Sequence, residues 1–189
     1  MNIPVKVCYD LLMTKEELYV SQLDRYVRGE VFDPGLEYET RFGVKAGKFG
    51  EGLICEMLGD DLSLLSSERR IRREGGSYYD ADGYLPRARI YLESKYLSFW
   101  STGTAPEKLP YFLFKAEKYD KPVVLVLGGM HELLVDEPSR QLWYAYNRPD
   151  ECDSIAAKAL VGAVRHKIAG IVKLSELRVW LNEAKRIVL

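Results

Sequence analysis

Four residues between Tyr78 and Trp100 have the types and spacing to do chemistry together: Asp80, Asp82, Glu93 and Lys95, in the run YYDADGYLPRARIYLESKYLSFW. Ile90-Tyr91-Leu92 reads as an apolar strand that delivers Glu93-Ser94-Lys95. Successive strand side chains point to opposite faces, so Tyr91, Glu93 and Lys95 share one face and Ile90 and Leu92 the other. Gly83 and Pro86 lie between the acidic pair and this strand, where permissive and pre-bent backbone would let the chain reverse. A hairpin closed there brings Asp82 beside Glu93. Two carboxylates and an ammonium converging at the end of a buried hairpin are costly, because desolvation penalises every charge. A divalent cation is the partner that relieves such a cluster.

A further carboxylate is expected from upstream. Between Ala46 and Leu58 the apolar residues Phe49, Leu53, Ile54, Met57 and Leu58 follow helical spacing, and Gly59 ends the run. Glu51 falls at one edge of that stripe and Glu56 at the other, so geometry leaves both open as a group leaning over the site. Gly47, Gly50 and Gly52 weaken the helix by roughly 1 kcal/mol each relative to alanine, which points to close approach by another backbone or a ligand.

The remaining elements follow from pattern. Thr14-x-x-Glu17 is a capping box for a helix carrying Leu18, Tyr19, Gln22, Leu23, Tyr26 and Val27, stopped by Gly29. Residues 30–45 read as loop. Asp61 to Ser67 reads as a strand, followed by ERRIRRE at 68–74. Its Arg69, Arg70, Arg72 and Arg73 form either a solvated edge partly neutralised by Glu68 and Glu74, or an edge that contacts phosphates. After the central hairpin, Thr102 or Thr104 caps a helix over Lys108–Lys118. Val123-Val124-Leu125-Val126-Leu127 is then a strand of the kind buried on both faces beside a parallel neighbour. Strand, helix, buried strand is a βαβ unit. Gly128-Gly129 ends it, and His131-Glu132 follows without the second histidine of a zinc-protease motif. His131 is a site candidate at a strand's carboxyl end, or an ordinary polar turn residue. Two helices finish the chain. One carries Ile155, Ala156, Ala159, Leu160, Ala163 and Val164. The other is capped by Ser175 and carries Leu177, Trp180, Leu181, Ala184 and Val188; both are core or subunit-packing helices.

The chain has 189 residues, 47% of them hydrophobic, which suits a single domain with an ample core. Basic and acidic residues number 27 and 28, so bulk charge argues neither for nor against nucleic acid. No run approaches a membrane span, and the opening MNIPVKVCYD lacks the regions of a signal peptide. Cys8, Cys55 and Cys152 are odd in number and widely spaced, as reduced thiols of a cytoplasmic protein are.

Taken together, a helix with Glu51, a strand bearing Asp82-Gly83, a strand bearing Glu93-Ser94-Lys95, a helix and a buried strand resemble the PD-(D/E)xK nuclease superfamily. IYLESKY followed by TGTAPEKLPYFLFKAEKYDKPVVLVLGG is most similar to the type II restriction endonucleases, over about residues 46–132. The proline that usually precedes the aspartate is replaced by Ala81, which keeps Asp80 as an alternative to Asp82. Glu183-Ala184-Lys185 repeats the E-x-K triplet, on what the helical pattern makes a solvated face. The resemblance implies an α/β (α+β) fold with a mixed central sheet flanked by helices, forming one nuclease domain over 1–189.

It also implies an activity: Mg²⁺-dependent hydrolysis of double-stranded DNA, sequence-specific in the restriction manner, with Mn²⁺ able to substitute. Asp82, Glu93 and Lys95 are then the catalytic residues, and Glu51, Asp82 and Glu93 the metal ligands. The four arginines hold DNA, and a homodimer cuts both strands. A repair or junction-resolving nuclease on the same fold, or a non-catalytic binding or assembly protein, are the alternatives.

Overall fold

The computed structural model describes residues 14–30, 46–72, 76, 78–97 and 108–188. Cys8, the expected loop from 31 onward to 45, Arg73, Glu74, Thr102 and Thr104 lie outside these residues, as does the side chain of Arg72.

A four-stranded mixed sheet runs in the order β3 (Gly83–Leu85), β4 (Ile90–Leu97), β5 (Val123–Gly129), β6 (Ile168–Lys173). β3 and β4 are antiparallel, while β4, β5 and β6 are parallel. A separate two-stranded ribbon pairs β1 (Arg70–Arg72) with β2 (Tyr78–Asp80). All residues of β5 are buried, as its unbroken apolar run and two parallel neighbours require. The alternation of its side chains divides the core in two. Val124 and Val126 meet α1 (Lys15–Val27), α2 (Ala46–Leu58) and α6 (Leu177–Val188). Val123, Leu125 and Leu127 meet α3 (Lys108–Ala116), α4 (Glu137–Asn147) and α5 (Ile155–Val164).

The predicted capping box at Thr14 and Glu17 is present and starts α1. α2 packs against β4, and Gly50 is where they touch: a Cβ there would sit 2.9 Å from the Tyr96 ring. Tyr19 of α1 ties its layer to the end of β5, accepting from the Gly129 N–H (2.9 Å) and donating to Glu132 (2.5 Å).

Several sequence expectations give way. Gly83 is part of β3 and the reversal falls at 86–89, where Arg89 takes a left-handed φ of 56°. Gly83 lies against Leu62, where a Cβ would come within 2.5 Å of Cδ1, the tip of that side chain. Residues 61–67 do not form a strand. A 3₁₀ turn at Gly59–Asp61 and a helical turn at Ser66–Arg69 flank one isolated bridge between Ser63 and Tyr84. Leu64 and Leu65 stay exposed, so the apolar run there has no core face to join.

The chain's end is not two helices alone. α4 begins at an Asp136 cap with Pro138 in its first turn, and β6 adds an outer parallel strand. In α5 most of the predicted stripe points outward, with Ile155 80% exposed; of its residues Val164 is buried, and Val161, outside the stripe, is buried beside it. A 3₁₀ turn, Leu174–Glu176, leads into α6, and the Ser175 N–H is taken by Glu132 rather than Ser175 serving as the cap. The predicted apolar stripe of α6 does face the core, with Leu177 and Leu181 buried.

Candidate active site

The register of the β3–β4 hairpin sets Gly83 opposite Leu92, so Asp82, one residue earlier, comes level with Glu93. One Asp82 carboxylate oxygen accepts the Ser94 N–H at 2.7 Å. Asp80 is held elsewhere: it ends β2 and pairs with Arg70 at 3.4 Å and Arg69 at 4.0 Å. Of the two aspartates, Asp82 is the one brought to Glu93.

Glu93 is 1% exposed, with Tyr91 on the β4 face covered by α3. Its carboxylate is saturated with donors. Oε2 accepts from Lys95 at 3.2 Å, and Oε1 accepts from Lys115 at 2.5 Å and from the Tyr119 hydroxyl. Lys95 also donates to the Ser94 carbonyl at 3.0 Å. Lys115 lies 4.8 Å from the centre of the Tyr79 ring, a cation over an aromatic face.

Burial and the Glu93 charge push Asp82 above the usual carboxylate range, against the opposing pull of the Ser94 amide, Lys95 and Lys115. Burial raises Glu93 too, but the charges of Lys95 and Lys115 and the hydrogen bonds from Lys115 and Tyr119 outweigh it, so Glu93 is held below its ordinary value. Burial, then the neighbouring Glu93 carboxylate, drives the Tyr119 phenol far upward, so it remains a donor. The two carboxylates are thus pushed apart, the pattern by which paired acids acquire different roles.

Two open clefts meet β4 from opposite faces, following the alternation of its side chains. One, of about 390 Å³, is lined by Glu93, Lys95, Lys115, Lys118, Tyr79, Tyr111 and two phenylalanines of α3. The other, of about 210 Å³, includes Asp82 and Ser94 together with Lys48, Glu51 and Arg69. Glu51 therefore shares a cleft with Asp82, its carboxylate paired with Lys48 at 2.5 Å. Glu56 is committed to α1, accepting the Lys15 N–H at 2.8 Å. Among the described residues no three of His, Cys, Asp and Glu converge as a preformed metal ligand set. The hard oxygen donors gathered here are Asp82, Glu93 and the Ser94 carbonyl.

The arginine run is partly spent internally. Arg69 donates to the Ala81 carbonyl at 3.0 Å, and Arg70 divides itself between Asp80 and the Tyr78 ring. For Arg69 and Arg70, neutralisation comes from Asp80 across the ribbon. His131 is fully buried away from the cluster, its Nδ1 3.0 Å from Asp136, the residue that caps α4.

Lys115 and Tyr119 are the site residues that sequence reasoning missed. A signal existed: the helix after the Glu93 strand must cross back over one face of it, and KAEKY places a lysine and a tyrosine four residues apart on one side. In comparisons with protein-family models, curated proteins and solved structures, the chain matches none.

Proposed function

We propose that this chain is a metal-dependent endonuclease that hydrolyses DNA phosphodiester bonds at Asp82, Glu93 and Lys95. One observation carries the reading: a hairpin register and a strand alternation bring two carboxylates and an ammonium together at the rim of two clefts. The donor set fits Mg²⁺, which binds through one or two carboxylates, keeps several waters and takes substrate phosphate oxygens as further ligands. Asp82, Glu93 and the Ser94 carbonyl would hold it, with Glu51 in the same cleft as Asp82. Mn²⁺ takes the same oxygen donors. The ion supplies Lewis acidity toward the scissile phosphate and a water of lowered pKa.

The chain's own residues do the rest. Lys95 orients the attacking water and donates to the charge that develops on phosphate oxygens. Lys115 and the Tyr119 phenol fix the Glu93 carboxylate so that it does not swing between rotamers.

A double-strand break made by a chain with one such site needs two copies, and a two-fold homodimer on double-stranded DNA is the simplest arrangement. Of the two α6 side chains expected at the contact, Leu181 is 3% exposed and Trp180 packs over Gly170 of its own chain. The outward stripe of α5, with Ile155 and Leu160, is an exposed apolar surface suited to it. Among the described residues no helix is long and apolar enough to cross a membrane, and the free thiols of Cys55 and Cys152 suit a cytoplasmic setting.

The saturation of Glu93 by three donors favours a second reading, a structural ion-pair network in a non-catalytic binding protein. Plasmid incubated with Mg²⁺ and then with EDTA decides between them. Discrete bands lost in EDTA support a restriction-type enzyme, cleavage confined to junctions supports a repair enzyme, and no cleavage with either metal leaves the network structural.

A further inference from the structure

α3 has two faces with different work to do. Leu109, Phe112, Leu113 and Ala116 are buried against the sheet. Tyr111, Phe114, Lys115 and, in the turn that follows, Lys118 stand at i, i+3, i+4 and i+7, which places them along one side of the helix. That side is a wall of the 390 Å³ cleft whose floor carries Glu93 and Lys95. Tyr111 is 67% exposed and Phe114 59% exposed.

Single exposed aromatics are ordinary, but here two rings share one wall and two ammonium groups follow them along the same side of the helix. The charge is also one-sided: among the described lining residues, Lys95, Lys115 and Lys118 face a single carboxylate, Glu93. The acidic residue of the same turn, Glu117, is not among the lining residues and has His166 3.9 Å away. Rings adjoining lysines on one wall suit a polyanion that carries flat apolar faces, which is an unpaired nucleotide strand. A continuous duplex cannot use the rings, because its base faces are already stacked on one another.

We propose that Tyr111 and Phe114 are a stacking platform for unpaired nucleotides adjoining the scissile phosphate, with Lys118 on the backbone. The preferred substrate is then double-stranded DNA that carries a flap, bubble or junction. This rests on the nuclease reading and narrows its substrate.

The test is fluorescence anisotropy in Ca²⁺ with three labelled probes: a blunt duplex, the same duplex with a single-stranded flap, and a thymidine oligomer. Replacing Tyr111 and Phe114 together by alanine should weaken flap and single-strand binding about tenfold or more, and duplex binding by much less. The conservative pair Tyr111→Phe and Phe114→Tyr should bind as wild type does. Lys118→Ala should flatten the salt dependence by about one phosphate contact. Equal losses on duplex and flap, an unchanged affinity, or failure of the wild type to bind any probe overturns the platform. So does a double alanine variant that melts lower or sediments differently, since the rings would then be covered by protein. The nuclease reading stands or falls separately, on Mg²⁺-dependent plasmid cleavage by the wild type and its loss in Lys95→Ala.

Discussion

Replacing Glu93 by glutamine keeps the side chain's shape and removes its charge, and the surroundings set the consequence. Three donors converge on this carboxylate, two of them ammonium groups at 2.5 and 3.2 Å, and the acceptor itself is 1% exposed. Breaking a buried pair by removing one partner costs about 3–5 kcal/mol. Lys95 and Lys115 keep about a quarter of their side-chain surface in water and regain some hydration, so the loss should be nearer 2–4 kcal/mol. For a chain of this size that is a drop in Tm of roughly 5–15 °C, within the margin of a typical folded domain. The pH dependence has a fixed sign. Glu93 is held below its ordinary value in the fold, so its contribution is present above the unfolded glutamate pKa of about 4.3. It is lost as pH falls through the lower folded value. Urea unfolding in EDTA should therefore show wild type more stable than Glu93→Gln at pH 7, with a gap that closes in stronger acid. A double-mutant cycle with Lys115→Met should recover a large coupling. A Glu93→Gln protein as stable as wild type at pH 7 would refute the reasoning, because the ammonium groups would then be indifferent to the charge.

Asp82→Asn should move stability the other way. Asp82 is raised by burial and by Glu93, so charging it costs the fold increasingly as pH rises through its folded pKa, and a metal-free Asp82→Asn protein should melt higher than wild type at neutral pH. Thermal melts in EDTA check this, and a lower melting temperature contradicts it. Lys95→Ala should abolish Mg²⁺-dependent cleavage while leaving DNA binding in Ca²⁺ intact, because the group acts mainly in the transition state. A Lys95→Ala enzyme cutting near the wild-type rate removes lysine from the mechanism. Glu51→Ala should weaken Mg²⁺ affinity by calorimetry more than Glu56→Ala, since only Glu51 lines the Asp82 cleft; the reverse order refutes that assignment.

The sequence alone determined what depends on local period and chain reversal. The alternation in Ile90–Lys95 places Glu93 and Lys95 on one face whatever packs there, and the two-sided apolar run of Val123–Leu127 requires a central strand. The capping box at Thr14 is local by construction and appears as read. Tertiary structure decided whatever depends on partners distant in the chain. Asp82 is separated from Asp80 because the β1–β2 ribbon spends Asp80 on Arg69 and Arg70, a pairing no motif encodes. Glu51 is separated from Glu56 because α1 docks on the other edge of α2. β6 is short and interrupted by Gly170, so its apolar run is ambiguous until β5 offers it an edge and Trp180 covers the glycine. The α5 stripe has helical period but the wrong face for the core, which only the position of the sheet reveals. Lys115 and Tyr119 reach Glu93 across more than twenty residues because α3 must cross back over the strand it follows. Local patterns name side chains able to do chemistry, whereas burial and charge pairing, both properties of the packed whole, decide which of them share a site.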